Sequence, residues 1–199
     1  EVFTAGNDLG DFLDGPKDDP DRPVFRFLRN IAAAPKPLVV AVTGNAVGVG
    51  TTLLLHCDLV YAGEGARFQL PFVNLALCPE AASSLLLPRL AGHQRAAELL
   101  FFGEPFGAAR AHEIGLANAV LPDAGVFAHA QERAQKLATL PAASLRETKR
   151  LLKQSIAALV PQVMQDEGEI FRRQLASPAA KEAFSAFLEK RKPDFSKFR

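Results

Sequence analysis

The feature that most limits the possible folds of this chain is an apolar stretch over residues 38–55. Its length approaches that of a membrane span. Threonines, an asparagine and several glycines interrupt it, however, and divide it into two parts. Residues 38–42 are a β-branched run typical of a buried strand, and residues 44–50 form a glycine-containing turn. Residues 51–57 then continue as a buried helix, so we predict a strand, a turn and a helix of a soluble protein rather than a membrane span.

Composition excludes several classes of protein. Of the 199 residues, 48% are apolar and 23% are charged, which is close to the globular average and excludes global disorder. Lys and Arg total 23 against 22 for Asp and Glu, so the chain has no general field that would attract nucleic acid or anionic lipid. Cys57 and Cys78 are too few for a disulfide scaffold, and with the four histidines they show no metal-ligand spacing. We expect neither a metal nor a nucleic-acid partner.

Hydrophobic periodicity divides the chain into two regions. The first alternates strands and helices, with helices at 23–33, 51–57, 95–102 and 105–116, a further helix that opens at Pro79, and extended segments at 38–42, 58–62, 68–77 and 119–121. From about residue 124 the strands disappear, and Ala, Glu, Gln, Lys and Arg dominate. We predict an α/β core over residues 1–123 and a helical region over residues 124–199.

The beginning of the sequence is unusual. Residues 1–6 look like the end of a strand and include neither an initiator Met nor a leader. We therefore expect N-terminal residues to be missing from this sequence. We predict a cytoplasmic location and leave open whether the full gene product carries a leader. Residues 8–22 are rich in Asp, Gly and Pro, which predicts a mobile surface loop.

Two turns present backbone N–H groups that could hold an anionic oxygen. The turn at 44–50 follows a strand and opens a helix, where the helix dipole favours negative charge. It lacks the lysine of a phosphate loop and the spacing of a dinucleotide site, and a tight turn that needs glycine for close packing is the alternative. The turn at 4–8 provides a second set of amides, or is an ordinary strand end with Asp8 as a cap.

Glu80 is the most distinctive acidic residue. It is a single carboxylate among apolar neighbours in the sequence. An apolar pocket disfavours the ionised form of a carboxyl group, which suits proton transfer near neutral pH. Alternatively, Glu80 lies in the first turn of a helix, where the dipole favours an acid. Residue type and position alone leave both interpretations open.

Taken together, these segments resemble the crotonase superfamily, which has the enoyl-CoA hydratase/isomerase fold. The similar segments are residues 3–8, 35–44, 46–50, 57–62, 68–75, 88–90, 111–117 and 187–192. Their order and spacing carry the resemblance over nearly the whole chain. It implies an α/β fold of stacked ββα units, with the first strands absent from this sequence. It also implies a C-terminal helical region, residues 124–199, that builds a homotrimer or a dimer of trimers.

The resemblance also implies a site for an acyl-CoA thioester. The backbone N–H groups of Asn7 and Val49 are the implied oxyanion hole for the thioester oxygen. CoA is part of the substrate, so no separate cofactor is expected. The loop at 8–22 is expected near the acyl or CoA path. Further substrate contacts are implied at Ala5, Gly6, Asp8, Leu9, Gly48 and Phe72, and at Lys190 and Lys192, which would meet the CoA phosphates.

Departures from the family pattern decide the expected reaction. The positions of the two glutamates that hydratases use hold Thr52 and Phe72, and neither side chain transfers a proton to water at neutral pH. Glu80 instead aligns with the acid of the Δ3,Δ2-enoyl-CoA isomerase branch. We therefore expect an isomerase in which Glu80 moves a proton from C2 to C4 through a dienolate. The alternatives are another crotonase reaction, such as that of a hydratase or a thioesterase, and a non-catalytic acyl-CoA-binding protein.

Overall fold

The computed structural model describes residues 2–8, 10 and 23–198. These residues form seven strands: β1 (Val2–Thr4), β2 (Val39–Val42), β3 (Asn45–Val47), β4 (Leu59–Gly63), β5 (Arg67–Gln69), β6 (Phe106–Gly107) and β7 (Ala119–Leu121). They also form nine α-helices: α1 (Pro23–Ala33), α2 (Val49–Thr52), α3 (Ser83–Ala91), α4 (His93–Phe102), α5 (Ala108–Glu113), α6 (Asp123–Ala138), α7 (Ala142–Lys153), α8 (Leu159–Leu175) and α9 (Pro178–Leu188). Short 3-10 helices occur at Leu53–His56, Val73–Leu75, Gln154–Ile156 and Phe195–Phe198.

The strands form two small sheets, with the orders β1-β3-β5-β6 and β2-β4-β7. All neighbouring strands are parallel except β5 and β6. The chain passes from one sheet to the other between β2 and β3, where Gly44 has a φ of 70°. A residue with a Cβ rarely adopts this conformation, so glycine is favoured at this turn. The repeated passage between the two sheets confirms the predicted α/β architecture of stacked units.

The apolar stretch 38–55 is divided into several short elements, but two of the predicted bounds were wrong. The turn predicted at 44–50 contains β3, and the helix predicted at 51–57 is α2, which begins at Val49, followed by a 3-10 helix that ends at His56. The stretch supplies β2, β3, α2 and most of the following 3-10 helix, and Val42, Ala46 and Leu54 are buried in the core. No helix among the described residues is both long and apolar enough to cross a bilayer.

The helices after residue 123 pack into the same core as the strands. Helix α6 packs against β2 and β4. Phe171 on α8 and Phe184 on α9 belong to the main core cluster, together with Phe68 on β5 and Phe106 on β6. The composition of the sequence changes near residue 123, but the helices after this point pack directly against the strands before it. The C-terminal helices can therefore contribute side chains to a site on the core.

Some predicted elements have different bounds. The extended segment 68–77 ends as a strand at Gln69, and a 3-10 helix follows. The helix predicted to open at Pro79 begins at Ser83, because Ala81 and Ala82 have φ angles of 61° and 55° and cannot belong to a right-handed helix. The helix predicted over 105–116 begins later, because Phe106 pairs with Phe68 as part of β6.

Candidate active site

Glu80 lies in the segment before α3 with only 9% of its surface exposed. Its Oε1 accepts a hydrogen bond from the Thr52 hydroxyl at 2.5 Å. Its Oε2 is buried and has no hydrogen-bond partner among the described residues. Burial raises the pKa of Glu80 from its ordinary value of 4.5 to about 7, and the hydrogen bond from Thr52 opposes this rise. Both protonation states of this carboxyl group are therefore populated near neutral pH.

The backbone around Glu80 differs from the first turn of a helix. The Glu80 carbonyl accepts hydrogen bonds from the Ser83 N–H at 3.1 Å and from the Ser83 hydroxyl at 2.6 Å. Ala81 and Ala82, which lie between these residues, are both in the left-handed region. Such conformations in residues with a Cβ are unfavourable and occur most often at functional sites. The alternative interpretation of Glu80, an acid favoured by the dipole in a first helical turn, does not describe its position.

The turns that carry Asn7 and Val49 are in contact. β1 pairs with β3, and a Cβ built on Gly6 would lie 3.0 Å from the Val47 carbonyl oxygen. A Cβ on Gly50 would collide with Thr4 Cγ2. Both positions therefore favour glycine, because the two turns approach closely.

Each of these two turns contains a backbone N–H group without a hydrogen-bond partner among the described residues. Val49 is the first residue of α2, and the first N–H groups of a helix have no partner within it. Among the described residues, neither the Val49 N–H nor the Asn7 N–H has a hydrogen-bond partner. The start of α2 is itself fixed, since the Gly48 N–H donates to the Gln69 carbonyl at 2.9 Å.

A cavity of about 1040 Å³ connects the N-terminal turn with Glu80. Asn7 and Glu80 both line it, and α1, α7 and α8 form much of its wall. Apolar residues on its wall include Val24, Leu28, Val160, Met164, Phe171 and Leu175. An apolar cavity with a few polar groups is the usual form of a small-molecule site. The structure thus brings Glu80 to the same cavity as the turn of Asn7, with helices from both predicted regions around it.

The hydroxyl group of Thr52 connects α2 with Glu80. Thr52 Oγ1, which contacts Glu80 Oε1, also lies 3.5 Å from the Val49 carbonyl oxygen. Val49, Thr52 and Glu80 are therefore neighbours, although Val49 does not line the cavity itself.

The other predicted substrate contacts lie in several separate parts of the fold. Ala5, Gly6 and Asp8 lie on the turn after β1, and Gly48 precedes α2 with a φ of 55°. Leu9 and most of the predicted loop at 8–22 lie outside the described residues. These contacts stay predictions.

None of the predicted substrate contacts among the described residues lines the cavity, and three of them lie outside the two turns. Phe72 is buried in the core and does not line the cavity. Lys190 and Lys192 are exposed after α9 and do not line it either. Within one copy of the chain, the basic residues on the cavity wall include Lys153 on α7. The contacts predicted for Phe72 and the two lysines remain untested.

Sequence reasoning missed two residues that hold the Glu80 segment. His56 Nε2 lies 2.7 Å from the Ala81 carbonyl oxygen, and Glu167 on α8 accepts a hydrogen bond from the Ala82 N–H at 2.6 Å. These residues are distant from residues 80–82 in the sequence, so no local motif indicates either contact.

Comparison with known proteins places the chain in a family. A family model described as enoyl-CoA hydratase/isomerase matches residues 1–198. The 1,2-epoxyphenylacetyl-CoA isomerase of Escherichia coli K12 is 38% identical, covering 98% of this chain and 77% of the relative. The 2,3-dehydroadipyl-CoA hydratase of the same organism is 35% identical over 97% of this chain and 76% of the relative.

A solved structure gives the same result. The crystal structure of an enoyl-CoA hydratase/isomerase from Pseudoalteromonas atlantica T6c matches with a TM-score of 0.94 and 44% identity, covering 98% of this chain and 78% of that one. The chain belongs to the enoyl-CoA hydratase/isomerase family, the crotonase superfamily, and is an enzyme of that family. The resemblance seen in the sequence is confirmed.

Proposed function

We propose that this enzyme is an enoyl-CoA isomerase that moves a double bond from C3 to C2 of an acyl-CoA thioester. The observation that carries the proposal is Glu80, a buried carboxyl group on the cavity wall with a pKa raised to about 7 and one oxygen atom that has no partner among the described residues. A group with this pKa can both accept and return a proton near neutral pH. One such group is sufficient for a proton shift along an acyl chain.

The proton transfer begins with Glu80 ionised. The thioester oxygen accepts hydrogen bonds from the N–H groups of Asn7 and Val49. Oε2 of Glu80 takes a proton from C2, and the electron pair of the C–H bond moves into a dienolate with its negative charge on the thioester oxygen. Each N–H donor contributes about 3 kcal/mol to stabilisation of that charge.

The second half of the reaction returns the same proton. Protonated Glu80 donates to C4, the electrons of the dienolate form the C2–C3 double bond, and the thioester carbonyl is restored. Thr52 holds Oε1 throughout, so that Oε2 is the oxygen free to carry the proton. No water molecule takes part in either half.

Two residues favour isomerisation over hydration. A hydratase of this family uses two glutamates to position and activate a water molecule, and this chain has Thr52 and Phe72 at those positions. The Thr52 hydroxyl group donates a hydrogen bond to Glu80, and Phe72 is buried in the core. One E. coli relative is named an isomerase and the other a hydratase, so their names do not decide between the two reactions. The preference for isomerisation therefore depends on Thr52, Phe72 and Glu80 of this chain.

A second copy of the chain is part of the proposal. Leu151 and Leu152 on α7 and Phe187 and Leu188 on α9 are large apolar residues between 57% and 77% exposed. Contiguous exposed apolar residues are typical of interaction surfaces. We propose that these helices meet other copies in a homotrimer or a dimer of trimers, as in the expectation from the sequence.

A substrate panel tests the proposed reaction. The purified protein is supplied separately with 3-enoyl-CoA, 2-enoyl-CoA in water and saturated acyl-CoA, and products are separated by chromatography and mass. We expect conversion of 3-enoyl-CoA to 2-enoyl-CoA, with neither hydration nor release of free CoA at a comparable rate. Faster hydration or thioester hydrolysis would replace the proposal by another reaction, and binding without turnover would favour an acyl-CoA-binding protein.

The hydrogen bond from Thr52 should set the pH dependence of the reaction. It lowers the pKa of Glu80, so Thr52→Val should let burial raise that pKa further. Glu80 must be ionised to act as a base, and the rise of kcat/KM with pH should therefore move to higher pH in the variant. Thr52→Ser keeps a hydroxyl group and serves as the matched control, with a profile close to that of the wild type. Superimposable profiles for Thr52→Val and the wild type would contradict the assigned hydrogen bond.

A further inference from the structure

Glu167 is a second buried carboxyl group beside the site, and the mechanism above does not use it. It lies on α8 with 5% of its surface exposed. Its Oε2 accepts from the Ala82 N–H at 2.6 Å, and its Oε1 accepts from the Ser84 N–H at 3.0 Å and the Ser84 hydroxyl at 2.5 Å. Both oxygen atoms therefore accept from N–H groups, which is the pattern that an ionised carboxylate satisfies. Burial raises the pKa of Glu167, and the hydrogen bonds from Ser84 and Ala82 oppose this rise and favour the ionised form.

The contacts of Glu167 fall on the backbone that follows Glu80. Ala81 and Ala82 have φ angles of 61° and 55°, which are unfavourable for residues with a Cβ. Such a conformation persists only where the surroundings hold it. Glu167 holds this turn at the Ala82 N–H, and His56 holds it at the Ala81 carbonyl oxygen.

We infer that Glu167 is a positioning residue for the proton transfer, because it fixes the left-handed turn that presents Glu80 to the cavity and places a negative charge close to it. This inference rests on the proposed function of Glu80. Its second consequence is electrostatic, since a like charge favours the protonated form of Glu80 and so contributes to the raised pKa of that group.

Among the described titratable groups near this turn, Glu167 is the one that places a charge close to Glu80. His56 lies after α2, and burial lowers its pKa below the ordinary value of 6.5, so it is neutral at pH values above that value. Burial raises the pKa of Cys78, on the same segment as Glu80, to about 11, so this thiol is neutral as well. Lys149 and Lys153 on α7 act on His56. Among the described residues, Glu167 is the charged group whose field acts on Glu80.

The variant Glu167→Gln tests both consequences. A Gln side chain has one acceptor oxygen and an NH₂ group, so it cannot accept from Ala82 and Ser84 on both sides as the carboxylate does. We expect kcat for 3-enoyl-CoA to fall about 10- to 100-fold with a smaller change in KM, because a small displacement of a catalytic group has an effect of this size. We also expect the rise of kcat with pH to move to lower pH, because the negative charge is lost.

Two control variants separate the charge from the hydrogen bonds. Asp166→Asn removes a charge from the neighbouring position of α8 and should leave the pH profile where it is. Ser84→Ala keeps the Glu167 carboxyl group but removes one donor, so kcat should fall several-fold. Loss of the Ser84 hydroxyl raises the pKa of Glu167, so any shift of the pH profile should be smaller than the shift in Glu167→Gln. Ser84→Thr, which restores a hydroxyl group, should recover kcat. The serine variants keep the test decisive even if Glu167→Gln does not fold.

The outcomes distinguish this inference from the proposed function. If Glu80→Gln is inactive while Glu167→Gln has the wild-type kcat and pH profile, the positioning role is wrong and the proposed function stands. A loss of kcat in Glu167→Gln with an unshifted profile also overturns the inference, because a merely structural role predicts it. If Glu80→Gln retains full activity, the proposed function itself fails.

Discussion

Replacement of Glu80 by Gln is expected to lower isomerisation of 3-enoyl-CoA by about 100- to 10,000-fold, the range that a single general acid–base group contributes. The amide neither accepts the C2 proton nor donates to C4 at neutral pH. Because the binding surface is unchanged, KM should change far less than kcat. Steady-state kinetics of the purified variant at a single pH near 8 is sufficient to measure this loss.

The fold of Glu80→Gln should be intact. A Gln carbonyl can still accept the hydrogen bond from Thr52, and the buried position no longer has to hold a charge. The folded pKa of Glu80, about 7, is above its ordinary value of 4.5, so the wild-type stability that this group provides is present below pH 4.5 and lost as the pH rises to about 7. The variant should lack this loss and unfold at an equal or higher urea concentration than the wild type at pH 8.

A second glutamate variant controls for nonspecific effects. Glu64→Gln alters an exposed carboxylate beyond β4 and should retain wild-type kinetics. If Glu80→Gln stays within about twofold of the wild type, Glu80 is not the proton carrier.

Substitution of Gly50 by Ala is expected to lower kcat by about 100- to 1,000-fold, the cost of losing one oxyanion donor. The new Cβ would collide with Thr4 Cγ2 and lie 3.2 Å from the Thr4 carbonyl oxygen. Rotation of the Thr4 side chain would break the hydrogen bond that its hydroxyl group accepts from the Gly6 N–H at 3.2 Å. We therefore expect the turn that carries Asn7 to move away from α2, which would separate the two N–H groups of the proposed oxyanion hole.

Two further variants make this prediction specific. Thr4→Ser removes Cγ2 but keeps the hydroxyl group, so the double variant Thr4→Ser with Gly50→Ala should recover much of the lost kcat. Gly125→Ala on α6 places a Cβ where the described part of the chain has no atom within 4 Å outside the helix itself, and it should leave kcat unchanged. Wild-type activity in Gly50→Ala would show that the approach of the two turns has no part in catalysis.

The sequence predicted the parts of the fold that depend on local patterns. The bounds of α1 match the predicted helix at 23–33, and the strand predicted at 38–42 is present as β2, whereas the turn predicted at 44–50 contains β3. Hydrophobic periodicity and glycine positions determine such elements directly. The predicted bounds were wrong where tertiary contacts set the backbone, as at Ala81 and Ala82, whose left-handed conformation no residue type at those positions indicates.

The surroundings of Glu80 could be predicted only in part. Its apolar sequence neighbours indicated a buried acid with a raised pKa, and the structure has such an acid. Its contacts with Thr52, and those of the following turn with His56 and Glu167, join residues 25 to 85 positions apart. Periodicity carries no information on pairs at this separation, because they depend on how α8 and the 3-10 helix after α2 pack against α3.

The fate of a deuterium label tests the single-carrier mechanism most directly. 3-Enoyl-CoA deuterated at C2 is converted in ordinary water at high enzyme concentration, and the position of deuterium in the 2-enoyl product is measured by NMR and mass spectrometry at the shortest times. Transfer through one buried carboxyl group predicts that a fraction of product molecules carries deuterium at C4. Product in which C4 receives hydrogen only from water, at every time and enzyme concentration, would contradict it.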